Sequence, residues 1–185
     1  ANEDELQSWF VQKMEKYILS KGKNLIGWDE ILEGGLAPEA TVMSWRGEAG
    51  GIAAAKAGHD VIMTPTSHVY FDYYQGDPET EPQAIGGHTT LKKVYSYEPI
   101  PAELEAQEHR FVLGSQANLW TEFIKTPEHA EYMVLPRMTA LSEVLWSAKD
   151  QRDWQDFRSR LGWLLPRFEE LGWNYRPLDT EQLTK

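Results

Sequence analysis

The chain has 185 residues, a net charge of −11 and no cysteine. That length is enough for one domain with a sizeable core. The missing thiols exclude disulfides and thiol catalysis. The 18 Lys and Arg are scattered, so an acidic chain of this kind offers no electrostatic footprint for nucleic acid or an anionic membrane. No run of apolar residues is long enough to suggest a membrane span, and no signal-peptide pattern is visible. Eight Trp and eight Tyr are many for this length, which suits either core or carbohydrate contact.

The chain starts Ala1-Asn2-Glu3-Asp4-Glu5, without an initiator Met, and reads as part of a longer or processed chain. Leu6, Trp9, Phe10, Met14, Tyr17 and Ile18 recur at three- and four-residue steps. This predicts a helix over about residues 3–20, capped by Asn2 or Asp4 and ended by Gly22. A short strand follows over 25–30, ending in Trp28-Asp29-Glu30, with at most a turn of helix over 31–38. A second strand over 41–45 ends in Trp45. Residues 48–58 predict a helix closed by Gly58. A third strand over 60–64 exits into Ser67, His68, Tyr70, Asp72, Tyr73 and Tyr74.

Residues 75–109 form a long excursion rich in Pro, Gly and acids, with a short helix near 91–95. Such a stretch reads as a lid or binding loop, or as an element not recognised. A fourth strand begins at Phe111-Val112-Leu113, breaks at Gly114-Ser115, and within a few residues presents Gln116, Asn118, Trp120 and Glu122. A helix over 128–146 has Pro127 near its first turn and Pro136 bending it inside. A last helix over 152–171 has the stripe Trp154, Phe157, Leu161, Leu164, Phe168 and Leu171. Trp9, Trp146, Trp154 and Trp163 lie on helical stripes and read as packing.

Strands alternating with helices imply parallel strands joined by crossovers. The fold class is α/β. Four strands are too few for a full (β/α)8 barrel, so the pattern reads as its C-terminal half, about strands 5 to 8 with their helices. Residues 1–177 would be this partial domain and 178–185 a tail. In such a fold all strand exits lie at one face, where sites are built.

The exits carry Trp28, Trp45, Tyr70 with Asp72, and Trp120 with Glu122. Three indoles and a phenol suit an acetamide, whose methyl wants apolar walls and whose carbonyl wants a hydrogen bond. Two carboxylates suit the hydroxyls of the same sugar. The Tyr-x-Asp and Trp-x-Glu spacings put each pair on one side of an extended strand end. The plainer alternative is that Trp120 is core and Glu122 starts a helix.

At these residues the chain resembles glycoside hydrolase family 20, the β-N-acetylhexosaminidases. The matching stretches are Gly27-Trp28-Asp29-Glu30, Ser44-Trp45-Arg46-Gly47, Tyr70-Phe71-Asp72 and Leu119-Trp120-Thr121-Glu122. Pro136-Arg137, Ala140-Leu141-Ser142-Glu143 and Trp146 resemble the family's last barrel helix. The resemblance runs over about residues 6–177. It implies an exo-acting enzyme that releases terminal N-acetylglucosamine or N-acetylgalactosamine by a substrate-assisted, retaining mechanism. It implies that Trp28, Trp45 and Trp120 wall the acetamide pocket, that Tyr70 hydrogen-bonds the acetamide carbonyl, and that Asp72 and Glu122 bind sugar hydroxyls.

The family's catalytic Asp-Glu sits in a His-x-Gly-Gly-Asp-Glu motif, which this sequence does not contain. Asp29-Glu30 imitates it, but follows Gly27-Trp28 one strand later. The general acid is therefore not assigned to this chain, and the early-strand Arg that clamps sugar hydroxyls is missing too. The expectation is a sugar pocket without its proton donor, inactive alone, with the N-terminal half of the barrel as its missing partner and exposed strand edges favouring self-association. Two other readings stand beside it: a non-catalytic carbohydrate-binding half-barrel, and a different retaining glycosidase using its own carboxylates, such as Glu30 and Glu122.

Asp29 and Glu30 otherwise read as solvated or as partners of Arg46. His68 and His88 read as loop hydrogen-bonders, and His59, His109 and His129 as surface residues. The acidic run 77–81 reads as a solvated loop. Gly34-Gly35, Gly50-Gly51 and Gly86-Gly87 read as turns. No His or Asp cluster has metal-ligand spacing, so neither metal nor cofactor is expected. The compartment is left open; a periplasmic, secreted or lysosome-like setting would fit the family.

Overall fold

The computed structural model describes residues 2–178, so Ala1 and all of the expected tail except Leu178 lie outside the described residues. The chain divides into two compact units. The first is Ala1–Thr66 with Pro99–Gln116, and the second is Ser67–Glu98 with Ala117–Lys185.

The first unit opens with helix α1, Glu3–Leu19. Asn2 accepts from the Glu5 N–H at 2.9 Å, three acids occupy the first turn and Lys16 the last, all favourable to the helix dipole. Gly22, at φ +66°, takes the left-handed turn that follows. The helix is held to its unit by polar residues. Ser8 donates to the Gly35 carbonyl at 2.6 Å, and the buried Glu15 accepts from the Glu39 N–H at 2.8 Å. The apolar stripe is exposed: Leu6 by 62%, Trp9 by 56%, Phe10 by 55% and Tyr17 by 62%. Expecting Trp9 to be packed is thus corrected. Periodicity finds an apolar face but not what lies against it.

Four strands follow in parallel, in the order β1 (Ile26–Trp28), β2 (Thr41–Ser44), β3 (Val61–Met63) and β4 (Val112–Ser115). Val42, Val61 and Met63 are fully buried. Helix α2, Ala49–Lys56, covers the sheet through Gly51, Ala54 and Ala55. Gly50 and Gly51 therefore sit in a helix, not in a turn. A Cβ at Gly51 would lie 2.6 Å from Met63 Sδ, so glycine here is a packing requirement. The fourth strand also runs through Gly114-Ser115 instead of breaking there. Gly114 takes φ +138°, and the β3–β4 register shifts between Val61 and Ile62, which accommodates it as an irregularity within the ladder.

The second unit begins within the short helix α3, Thr66–Val69, and contains α4, Leu91–Tyr95, capped by Thr90. The helix expected over 128–146 is two helices, α5 (Pro127–Val134) and α6 (Arg137–Trp146). Pro136 lacks an N–H and its ring disfavours helical geometry before it, so it separates the helices instead of bending one. Helix α7, Trp154–Glu170, is capped by Asp153 and buries Phe157, Leu161 and Phe168. Tyr95 stacks on Phe157 at 4.6 Å and tilts against Trp154 at 5.4 Å. Leu164 and Leu171 are 37% and 49% exposed, and Trp146 and Trp163 are 91% and 85% exposed, against their expected burial.

The run 77–81 is not wholly solvated. The Glu81 side chain is buried, ion-paired with Arg176 at 2.5 Å, and accepts from the Tyr132 hydroxyl at 3.1 Å. His59 and His129 are half-buried, not on the surface; His59 Nδ1 lies 3.0 Å from the Ala40 carbonyl. No described helix is long and apolar enough to cross a membrane.

Candidate functional site

The first unit carries Trp28 and Trp45 at the C-terminal ends of the neighbouring strands β1 and β2. Trp28 ends its strand and starts a 3₁₀ turn, Asp29–Leu32. Gly27 permits the turn, because a Cβ there would lie 2.8 Å from Ile31 Cγ2. Asp29 is 2% exposed. Its Oδ2 accepts from the main-chain N–H groups of Trp45 at 3.0 Å and Arg46 at 3.2 Å, and its Oδ1 accepts from Arg46 Nε at 2.5 Å. Both Glu30 oxygens accept from the Trp45 indole N–H, at 3.1 and 3.0 Å. Arg46 also reaches Glu33 at 2.8 Å, and these hydrogen bonds, from Glu33 first and then Asp29, raise its pKa. The expected pairing of Asp29 with Arg46 is present, and the acid is buried rather than solvated.

The second unit brings Tyr70, Asp72, Trp120 and Glu122 together. Tyr70 pairs with Asn118 as an isolated parallel bridge, with the Phe71 N–H on the Asn118 carbonyl at 2.7 Å and the Asn118 N–H on the Val69 carbonyl at 2.9 Å. Tyr70 and Asp72 are 6% and 4% exposed, Trp120 is 44% exposed, and Glu122 is exposed. The two pairs do not lie on extended strand ends. Asp72 sits in a turn after α3, and Trp120 and Glu122 lie beyond the end of β4. Strand alternation is therefore not what collects them; the bridge at Tyr70 and Asn118 is.

Burial raises the Tyr70 pKa, a hydrogen bond with the Trp120 side chain opposes this, and the Asp72 charge adds to it. The phenol thus stays protonated, and the indole N–H occupies one acceptor position on its oxygen. Burial also pushes Asp72 up to about 6; its own main-chain N–H pulls down, the Glu122 charge pushes up, and Arg137 and the Trp120 main chain pull down. Asp72 Oδ1 is buried and has no hydrogen-bond partner among the described residues.

A further residue of the matching stretches, Arg137, bears on the turn that carries Asp72. It is fully buried. It donates to the carbonyls of Phe71 at 2.6 Å, Tyr73 at 3.0 Å and Thr89 at 2.9 Å, and through Nε to Met133 at 3.1 Å, with its guanidinium 4.8 Å from the Phe71 ring centre. Burial lowers its pKa to about 9, with Glu81 and Asp72 opposing, so it remains a cation at neutral pH. It holds both residues that flank Asp72. His68 makes the expected hydrogen bond, its Nδ1 2.8 Å from Ser67 Oγ, with its ring stacked on Tyr97 at 5.0 Å, but it lies in helix α3 and not in a loop.

Residues 1–149 match the family described as "Glycosyl hydrolase family 20, catalytic domain". The chain belongs to this family. Among curated relatives, the glycoside hydrolase family 20 chain is 55% identical to a Beta-hexosaminidase of Porphyromonas gingivalis over 94% of its own length and 22% of the relative's. It is 34% identical to a Beta-N-acetylhexosaminidase of Cellulomonas fimi, over 83% of its length and 32% of the relative's. Among solved structures it is similar to a GH20 exo β-N-acetylglucosaminidase from Vibrio harveyi in complex with N-acetylglucosamine. That match has TM-score 0.84 and 33% identity, and covers 96% of this chain and 28% of that one. The chain therefore spans between about a fifth and a third of these proteins, and its fold is a partial (β/α)8 barrel of the α/β class.

Proposed function

We propose that this family 20 chain is part of an exo-β-N-acetylhexosaminidase, acting on glycans with a terminal N-acetylhexosamine, and that it supplies sugar and acetamide contacts but not the general acid. The observation that carries the reading is the cluster Tyr70, Asp72, Trp120 and Glu122, with a buried carboxylate oxygen on Asp72 that has no partner among the described residues. A buried acceptor with no partner among the described residues suits a ligand hydroxyl. A protonated phenol whose oxygen already accepts from an indole suits donation outward, to an acetamide carbonyl. The similar Vibrio harveyi protein, solved in complex with N-acetylglucosamine, supports the same substrate class.

In the proposed chemistry the substrate's acetamide oxygen attacks its own anomeric carbon as the glycosidic C–O bond breaks. The leaving oxygen takes a proton from a general acid outside the residues of this chain, and a cyclic oxazolinium ion forms. Water then opens that ion with overall retention. Tyr70 would hold the carbonyl in attack geometry, Trp28, Trp45 and Trp120 would wall the methyl, and Asp72 and Glu122 would hold ring hydroxyls. The rival reading, in which Glu30 itself is an acid or nucleophile, is less well supported because both its oxygens are engaged by the Trp45 indole.

The test is hydrolysis of a chromogenic N-acetyl-β-glucosaminide by the 185-residue chain and by the full gene product. The short chain should be inactive or nearly so, since a lost general acid alone removes about 10²–10⁴ in rate. Tyr70→Phe in the full product should lower kcat by roughly 10²–10³, the usual cost of a lost donor at a developing charge. Efficient turnover by the short chain would overturn the assignment of the acid elsewhere.

A further inference from the structure

We propose that Glu30 is a positioning residue that sets the N-acyl selectivity of the site by fixing the Trp45 indole, while Asp29 fixes the turn that carries it. This rests on the reading of Trp45 as a wall of the acetamide pocket.

Every hydrogen-bonding group of Trp45 is committed within its own unit. Its main-chain N–H goes to Asp29 Oδ2 at 3.0 Å, its carbonyl accepts the Thr66 N–H at 3.0 Å, and its indole N–H goes to both oxygens of Glu30. An indole has a single donor. With that donor held by a carboxylate, rotating the ring would put a C–H edge against Glu30 and break a charge-assisted bond.

The turn beneath the ring is fixed in the same way. Asp29 also takes the Arg46 N–H at 3.2 Å, Ser44 Oγ donates to the Gly47 carbonyl at 2.7 Å, and the Gly51 N–H donates to Ser44 Oγ at 2.8 Å. Helix α2 lies so close to Asp29 that a Cβ on Gly50 would come within 2.8 Å of Asp29 Cβ, which leaves the carboxylate little room to swing away. An adjacent Asp-Glu that looks like an acid-base pair thus divides its work: the first acid sets the backbone of the turn, the second the plane of the ring. A pocket wall with a fixed plane can reject an acyl group one methylene too long, and such rejection is worth about 10–200-fold.

The experiment compares kcat/KM of the full gene product for two chromogenic β-glycosides, one N-acetylated and one N-propanoylated. Glu30→Ala removes the acceptor, and Glu30→Asp keeps the charge but withdraws it by one methylene. Both should lower the acetyl-to-propanoyl ratio about tenfold or more, whereas Glu30→Gln, whose amide oxygen still accepts, should stay within about twofold. Trp45→Ala serves as the reference that collapses the ratio. If Trp45→Ala collapses it while Glu30→Ala and Glu30→Asp leave it unchanged, whatever their overall activity, Glu30 does not set selectivity and the proposal falls. If Trp45→Ala itself leaves the ratio unchanged, the pocket reading of Trp45 fails first.

Discussion

Burial raises Asp72 from an ordinary pKa of 3.8 to about 6. A group whose folded pKa lies above its unfolded one contributes stability that is fully present below the unfolded value and is lost as pH rises through the folded value. At neutral pH the ionised Asp72 therefore weakens the fold, although the proposed role needs that charge. Asp72→Asn should raise the Tm at about pH 7.5 and lose that advantage toward about pH 4, as thermal unfolding at the two values would show. The same substitution should weaken N-acetylglucosamine binding by about tenfold to a hundredfold, because a hydrogen bond to a charged group is worth roughly 1.5–3 kcal/mol. In the unsubstituted protein, affinity measured calorimetrically should fall as pH drops through about 6. A flat profile there would remove Asp72 from the hydroxyl contacts. The identity of this residue was legible in the sequence because Tyr70-Phe71-Asp72 is a compact pattern after a strand. Its electrostatic setting was not, because it involves residues far along the chain, the charges of Glu122 and Arg137 and the Trp120 main chain. The pair Asp29-Glu30 shows the converse. Its chemistry was legible, but a sequence does not tell a catalytic carboxylate from one that holds a neighbouring turn.

Helix α6 begins with Arg137, and this side chain ties the element to the turn bearing Asp72. Arg137→Ala would leave the carbonyls of Phe71, Tyr73 and Thr89 without that donor in a buried place. The expected loss is roughly 3–5 kcal/mol, read as a lower urea midpoint. Arg137→Lys keeps a charge but not the planar fork, so it should recover only part of the loss. Helix α2 makes a second test, because two rules disagree there. Gly51→Ala in a helix ordinarily stabilises by about 0.5–1 kcal/mol. Here the added carbon would also lie 3.0 Å from Val61 Cγ1 and 3.1 Å from Ser44 Cβ, besides Met63 Sδ. Overpacking costs about 1–3 kcal/mol, so the net change should be destabilising. A rise in the urea midpoint would mean that Met63 repacks freely. At this scale the sequence was informative where periodicity or capping speaks locally: α1, α4 near 91–95 and all four strands stand about where expected. It misled where a tertiary neighbour decides. Gly50-Gly51 reads as a turn until the sheet beneath it is known, and Pro136 reads as a bend until the two helix ends are seen.

The parallel order of the four strands followed from the alternation of elements, and with it the fold class. What alternation could not supply was the partner of each apolar face. Trp9, Trp146 and Trp163 have helical spacing yet are exposed. The sheet of the first unit has β1 and β4 at its two edges among the described residues, and each edge bears an exposed apolar side chain, Ile26 at 52% and Leu113 at 59%. An edge strand presents main-chain donors and acceptors ready to pair with another chain, and nearby apolar surface adds a driving force. The 185-residue polypeptide should therefore self-associate. The net charge of −11 opposes this by long-range repulsion, which salt screens with a Debye length of about 10 Å at 0.1 M. Association driven by edges and apolar faces should accordingly strengthen as salt is added, whereas association through ion pairs should weaken. Sedimentation velocity at two protein concentrations and two salt concentrations separates these cases. Leu113→Lys, which places a charge on the edge, should shift the distribution toward monomer. A monomer at every concentration and salt would mean that the sheet edges do not pair with a second copy.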